Sequence, residues 1–418
     1  MDVFEIRGGR SLNGEVSIYG AKNAALPVLA ATVMVDGIAV IHGVPQLEDV
    51  RVMLEILRNL GAKAAFTKEH TVQIDASKIT HTNVPAGLMK RMRSSIFLMG
   101  PLLARFGEVN VSKPGGCVIG QRPIDYHLRG MRMLGATIEE KHGFINCKSN
   151  RLFGSSITLD FPSVGATENL IMAATMADGV TIIENAAKEP EIVDLANFLC
   201  TCGAKITGAG EDTVIVHGVH HLHSTEYKII PDRIVAGTLL IAASATHGNV
   251  TLSGMSGNYL GAVLSKLREA GVHVETENDI ITVSAKEKYR AVDLLTAPFP
   301  GFPTDLQAPL MAMMTMAQGT SVIRENVFEA RFKHVNDLLR MGADISVDLR
   351  TAVVRGVSQL SGANVEATDL RGGAALLIAG LMAEGITRVE GLHHIDRGYE
   401  DIDVYLRDLG SEIVRRTV

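Results

Sequence analysis

"LRNLGAKAAF", residues 57–66, joins an amphipathic run to a short β-like run through a single glycine. The same phrase recurs as "MRMLGATIEE" (131–140), "LCTCGAKITG" (199–208), "LREAGVHVET" (267–276), "LLRMGADISV" (338–347) and "LRDLGSEIVR" (406–415). Its glycines, Gly61, Gly135, Gly203, Gly271, Gly342 and Gly410, are spaced 74, 68, 68, 71 and 68 residues apart, so six copies of one unit fill the chain. A period near 70 residues exceeds that of the common solenoids, and each copy is therefore expected to be a small packed module rather than a helix pair.

Outward from the phrase, each unit reads in one order. A nearly all-apolar helix ("ENLIMAATMADG", "IVAGTLLIAASATHG", "LQAPLMAMMTMAQG", "GGAALLIAGLMAEG") is followed by a strand ("VTIIENA", "TSVIREN", "ITRVEGL"), an amphipathic helix and a hairpin such as "GADISVDLRTAVVRGV". The first helices are apolar on all faces yet only about 12 to 14 residues long, short of the roughly 20 that cross a bilayer, so they must be buried inside protein. Helices surrounded by sheets, three units per domain, satisfy that requirement and give an α/β protein of two similar domains. The boundary is expected near "YKIIPDRIVAG", residues 227–237.

Composition agrees. A chain of 418 residues can hold two domains of about 200 residues with full cores. With 21% charged and 46% hydrophobic residues it reads as globular, and a net charge of −6 argues against a nucleic-acid partner bound over a basic surface. Four cysteines do not make a disulfide framework, which points to a reducing, cytoplasmic setting. The start "MDVFEIRGGRSLNG" has charges within six residues and no apolar run, the pattern expected without a secretory leader. The glycine-rich "GGRSLNGEV" fits neither a P-loop nor a dinucleotide fingerprint, so no nucleotide cofactor is expected, and "CTC" at 200–202 has no second ligand pair nearby, so no metal is expected.

Charged residues recur where the first helices begin: Lys22, Arg93, Arg233, Asp305 and Arg371, with "SVGATEN" in the third unit. Helix N-termini favour anions, and cations there work against the dipole. Four cations at one place in the architecture point to a shared anionic ligand, phosphates or carboxylates held in a cleft between the domains.

A second feature is "PGGCVIGQRP", residues 114–123, which sets Cys117 on a glycine loop. Lys113 and Arg122 beside it are expected to lower the thiol's pKa, whereas Cys147, Cys200 and Cys202 read as inert buried thiols.

Together with these, "GAKNAALPVLAA" (20–31), "PGGCVIGQRPIDYHLRGMRMLGA" (114–136), "EPEIVDLANFL" (189–199), "FPTDLQAPLMAMMTMAQGTS" (302–321), "VFEARFKHV" (327–335) and "HHIDRGYE" (393–400) resemble, in order and over the whole chain, the UDP-N-acetylglucosamine 1-carboxyvinyltransferases, enolpyruvyl transferases that open peptidoglycan synthesis. The resemblance implies a two-domain inside-out α/β barrel, with residues 22–229 as one domain and 1–21 with 230–418 as the other. It implies transfer of the enolpyruvyl group from phosphoenolpyruvate to the 3'-hydroxyl of UDP-N-acetylglucosamine, with no membrane partner. By the same resemblance Lys22, Asn23, Arg122, Arg331, Arg371 and Arg397 surround phosphoenolpyruvate; Cys117 donates the proton to C3 and forms a covalent adduct; Asp305 is the carboxylate at the sugar hydroxyl. The nucleotide sugar is met by Arg93, Arg122, Pro123, Ile124, Asp125, Tyr126, Ser163, Val164, Gly165, Asp305 and Val327. Guanidinium forks suit carboxylate and phosphate, and Lys acts as a point charge. Nucleotide sugar is expected to draw the domains together. Two alternatives are weighed: 5-enolpyruvylshikimate-3-phosphate synthase, whose "GSKS"-like start is absent and whose chemistry needs no loop cysteine, and a catalytically silent regulatory paralogue, against which Lys22, Cys117, Asp305 and Arg397 stand together.

Overall fold

The repeated glycine is a helix stop. The amphipathic helix Glu48–Leu60 ends at Gly61, which adopts φ 111° and returns its N–H to the Arg58 and Leu57 carbonyls. Gly135, Gly203, Gly271, Gly342 and Gly410 hold the same left-handed backbone, with φ between 94° and 102°. Only glycine enters that region without a steric cost, so one residue type marks the helix-to-hairpin joint in all six units.

The computed structural model describes residues 2–113 and 124–417. They form two compact units, one made by 19–113 with 124–230, the other by 2–18 with 231–417. Each has its own hydrophobic core.

The apolar segments form helices, and they lie inside. Lys22–Ala31, Met99–Phe106 and Val164–Thr175 belong to the first unit; Arg233–Ala245, Gln307–Met314 and Leu370–Met382 belong to the second. Every residue of Arg233–Ala245 is buried, and the three helices of its unit pack on one another. A buried Leu or Ile contributes about 1.5–3 kcal/mol, which is why a helix with no polar face is stable here and nowhere else in water.

Sheets cover these helices, three per unit. In the first, Val35–His42 runs antiparallel to Thr71–Asp75, which pairs in turn with Lys63–Lys68, and parallel to Leu222–Lys228 on its other side. The fourth, parallel strand recurs: Ser156–Thr158 beside Val180–Glu184, Leu294–Leu295 beside Thr320–Arg324, and Asn364–Glu366 beside Ile386–Glu390. The sheet of Glu108–Ser112 has three strands, with a single parallel bridge, Asn83 to Asn110, in the fourth position.

The chain's first strands finish its last unit. Asp2–Arg7 lies between Ile386–Glu390 and Glu412–Thr417, antiparallel to both, where every other unit uses the second strand of its own hairpin. Asn13–Ser17 runs parallel to Asn249–Ser253. Among the described residues no helix is long and apolar enough to cross a membrane.

Candidate active site

Pro303 precedes the 3-10 turn Thr304–Leu306, which feeds the buried helix Gln307–Met314 and projects Asp305 from its start. Two arginines grip this carboxylate. Arg331 Nη2 donates to Oδ1 at 2.6 Å and Arg371 Nη2 donates to Oδ2 at 2.9 Å. The two guanidinium side chains are 4% and 6% exposed, while Asp305 keeps 23%. A charged group buried this far needs a partner, and Asp305 supplies it to both.

Each arginine also rests on a ring. The Arg371 guanidinium lies 5.2 Å from the centroid of Tyr399, and that of Arg331 lies 5.1 Å from the centroid of Phe328. The Tyr399 hydroxyl is 3.0 Å from Thr238 Oγ1 and hydrogen-bonds Arg371 as well. Burial disfavours the charged form of Arg371, but Asp305, Tyr399 and Asp232 outweigh it and hold the guanidinium above its ordinary pKa. Arg371 Nη1 and Arg331 Nε are buried and without a hydrogen-bond partner among the described residues. Donors left so are costly, about 1–3 kcal/mol each or more for charged groups, and they suit an anionic oxygen.

Behind the turn lies a second carboxylate that the sequence did not advertise. Glu325 is 1% exposed and accepts four hydrogen bonds: from Thr296 Oγ1 (2.9 Å), Val327 N (2.8 Å) and Phe328 N (3.0 Å) on Oε1, and from Thr304 Oγ1 (2.9 Å) on Oε2. "TSVIREN", residues 320–326, reads as one strand, and no spacing marks Glu325 within it as buried. The Val327 N–H, within the nucleotide-sugar set, is thus committed to Glu325.

In the other unit Lys22 opens the helix Lys22–Ala31, whose N-cap Ala21 provides no side-chain cap. The Lys22 ammonium is buried and lies 2.5 Å from Asp49 Oδ2, while Asn23 is exposed. Ile124 is the N-cap of Asp125–Met133, and Asp125 and Tyr126 form its first turn. Ser163 caps Val164–Thr175 through a 3.4 Å bond from Ala166 N, so its hydroxyl serves its own helix. These two predicted segments meet: a side chain added at Gly165 would touch the His127 ring at 3.4 Å. Asn169 fixes that ring. Its Oδ1 accepts from Gly100 N, and its Nδ2 faces the Ile96 carbonyl and His127 Nδ1 at 3.0 Å. Nδ1 is therefore the acceptor, and the ring proton sits on Nε2. One position before, Glu168 is fully buried; burial, then the charges of Glu191 and Glu189, push its carboxyl well above the usual range.

Two expectations change. The N-termini of Val164–Thr175, Arg233–Ala245 and Leu370–Met382 are capped by Ser163, Asp232 and Asp369, which take one N–H in the first and two in each of the others, and Arg233 and Arg371 sit beside a capping carboxylate rather than against a bare dipole. The signal was the preceding aspartate. Lys113 pairs with Glu140 at 2.7 Å, and its expected effect on the Cys117 thiol falls outside the described residues. Cys200 is exposed, because it occupies the outer face of Pro190–Thr201, whereas Cys147 and Cys202 are buried. Arg397 lies half-buried near His394, and its charge helps depress His394 after burial and His393 have done so. Arg93 opens the turn Arg93–Leu98. Its side chain, with Cys117, Arg122 and Pro123, lies outside the described residues. Among the described residues no group of three or more His, Cys, Asp or Glu is placed to hold a metal ion.

The pattern of the EPSP synthase (3-phosphoshikimate 1-carboxyvinyltransferase) family matches residues 6–406. UDP-N-acetylglucosamine 1-carboxyvinyltransferase 2 of Caldanaerobacter subterraneus subsp. tengcongensis is 53% identical over 416 residues, 99% of this chain and 100% of its own. The UDP-N-acetylglucosamine 1-carboxyvinyltransferase of Dichelobacter nodosus is 50% identical over 415 residues, 99% of both chains. Among solved structures, the enolpyruvyl transferase NikO of Streptomyces tendae superposes with a TM-score of 0.89 at 27% identity, covering 100% of this chain and 99% of its own. EPSP synthase of Acinetobacter baumannii, at 17% identity and a TM-score of 0.77 with both chains fully covered, shares the fold. Likeness of that extent runs through all six repeated units, and the chain belongs to the enolpyruvyl transferase family.

Proposed function

We propose that this protein transfers the enolpyruvyl group of phosphoenolpyruvate to the 3'-hydroxyl of UDP-N-acetylglucosamine and releases phosphate, the reaction that opens peptidoglycan synthesis. The clamped carboxylate of Asp305 carries the reading. Addition to the double bond of the enol phosphate needs a hydroxyl stripped of its proton while C3 gains one that is lost again as phosphate is eliminated, and a carboxylate fixed by two buried guanidinium groups meets the first need without being free to turn away. Cys117 is assigned the second need, and the thiol would also form the covalent adduct. Lys22, Asn23, Arg122, Arg331, Arg371 and Arg397 would receive the phosphate and carboxylate of phosphoenolpyruvate and hold the charge as phosphate leaves. The nucleotide sugar would lie against Ile124, Asp125, Tyr126, Ser163, Val164, Gly165 and Val327, with Arg93, Arg122 and Pro123.

Names of relatives about 50% identical over the full length support the choice of acceptor. The decisive measurement is phosphate release. Phosphoenolpyruvate with UDP-N-acetylglucosamine is expected to release phosphate, and either substrate alone is not. Release with shikimate 3-phosphate in place of the nucleotide sugar, or no release with any pair, would overturn the proposal.

A further inference from the structure

We infer that Glu325 is a positioning residue that couples the Asp305 turn to the backbone at Val327, setting catalysis through one carboxylate oxygen and nucleotide-sugar binding through the other. The inference rests on the reading of Asp305 and Val327 given under Proposed function.

Its own place is rigid. Glu325 directly follows the strand Thr320–Arg324, which is paired on both sides, and its N–H is tied to the Arg350 carbonyl at 2.9 Å. From that anchor the side chain collects four donors and offers none, so each bond points inward and none can be exchanged for water without leaving a buried group unmet. Oε2 holds Thr304, the residue before Asp305. Oε1 holds the Val327 and Phe328 N–H groups and the Thr296 hydroxyl, which itself accepts from Asn326 N at 2.9 Å. The connections close into a ring. Phe328 carries the Arg331 guanidinium on its face, Arg331 binds Asp305, Asp305 follows Thr304, and Thr304 returns to Glu325. Asp305 is thereby held directly on its backbone side through Thr304 and Oε2, while the return path from Oε1 reaches Arg331 only through a ring face, the weaker link, and Glu325 need never touch substrate.

A merely structural glutamate would lower stability and leave the kinetic constants of the folded fraction alone. The coupling instead predicts a split, because Thr304 and Thr296 load different oxygens. With the full chain, kcat and KM for UDP-N-acetylglucosamine are read from phosphate release. Thr304→Val is expected to lower kcat roughly 10-fold with KM within about twofold of wild type, whereas Thr296→Val raises KM roughly 10-fold with kcat within about twofold. Glu325→Gln keeps both links, its amide oxygen taking the three donors and its NH₂ donating to the Thr304 hydroxyl, and is expected to stay near wild type. Glu325→Asp keeps the charge but loses reach, and is expected to suffer in both constants. Identical behaviour of the two threonine variants, or unchanged constants in both, overturns the inference even if Glu325→Asp fails to fold. Asp305→Asn run alongside separates the two levels: if it turns over like wild type, the reading of Asp305 falls and this inference with it; if it is crippled while Thr304→Val is normal, only the coupling falls.

Discussion

Asp305 presents one oxygen to each of two arginines, and asparagine can satisfy only one of them, since its NH₂ would face a guanidinium donor. Asp305→Asn is therefore expected to lower kcat roughly 100-fold while nucleotide-sugar binding, measured by titration calorimetry, is retained. Near-normal turnover would reject the base or orienting role. The cysteines offer an independent test. Burial pushes the Cys147 and Cys202 thiols up to about 12, so at pH 7 both are protonated and poor nucleophiles. A phosphonate epoxide such as fosfomycin is then expected to alkylate Cys117 once its phosphonate occupies the phosphoenolpyruvate site, and Cys117→Ser is expected to abolish the adduct. Mass spectrometry reads the result, and an adduct on the exposed Cys200 would overturn the assignment. At this scale the sequence revealed residues whose chemistry stands out, Asp305 and Lys22 among them. Glu325 stayed hidden because burial is a property of the folded neighbourhood, and a Glu between Arg324 and Asn326 looks like any surface charge.

Among the elements, helices and hairpins were legible because each spans enough residues to show its period, and the recurring glycine ended each amphipathic helix where the pattern broke. The parallel fourth strands were not. Leu294–Leu295 and Ser156–Thr158 are too short for a period-two signal, and their pairing is set by the neighbouring strand. Helix caps can be tested directly. Asp232 accepts from both Ile234 N (2.8 Å) and Val235 N (3.0 Å) at the head of a helix buried throughout its length, so Asp232→Ala is expected to cost about 1–2 kcal/mol, seen as a lower urea midpoint with an unchanged slope. The helix Pro190–Thr201 carries a pH-sensitive member. Burial raises the Asp194 carboxyl to about 6 despite hydrogen bonds from the Tyr227 hydroxyl and Ile230 N. The folded state then holds this proton more tightly than the unfolded chain, whose Asp titrates near 4, so the associated stability is full below about pH 4 and is lost as pH rises through about 6. Asp194→Asn carries no such loss. Its stability relative to wild type should improve between pH 4 and about 7, and a difference in unfolding free energy that is flat over that window would rule out the shifted carboxyl.

For the molecule as a whole, sixfold repetition was readable at once, because one phrase recurs six times, but the way the chain's first strands complete the unit formed with 231–417 was not. Asp2–Arg7 is an ordinary strand by its pattern, and nothing local says that its partners lie near residues 386–390 and 412–417; only the family resemblance assigned the first residues to the second half. That closure has a thermodynamic consequence. Phe4, Ile6, Leu12 and Ile18 are buried in the core of the unit formed with 231–417. At about 1.5–3 kcal/mol for each buried side chain they contribute together roughly 6–12 kcal/mol, as much as the whole net stability of a typical domain, about 5–15 kcal/mol. Removing them would also leave Ile386–Glu390 and Glu412–Thr417 without the strand that lies between them, exposing two sheet edges. A fragment of residues 231–418 is therefore expected not to fold alone, and to gain a cooperative thermal transition when a peptide of residues 1–18 is added, with a midpoint that rises with peptide concentration. The fragment 19–230 holds all the strands of its three sheets, including Leu222–Lys228, and is expected to melt cooperatively without help. Circular dichroism of the two fragments decides it: a cooperative transition in 231–418 with no peptide present would show that the terminal strands are accessories to that unit rather than part of its core.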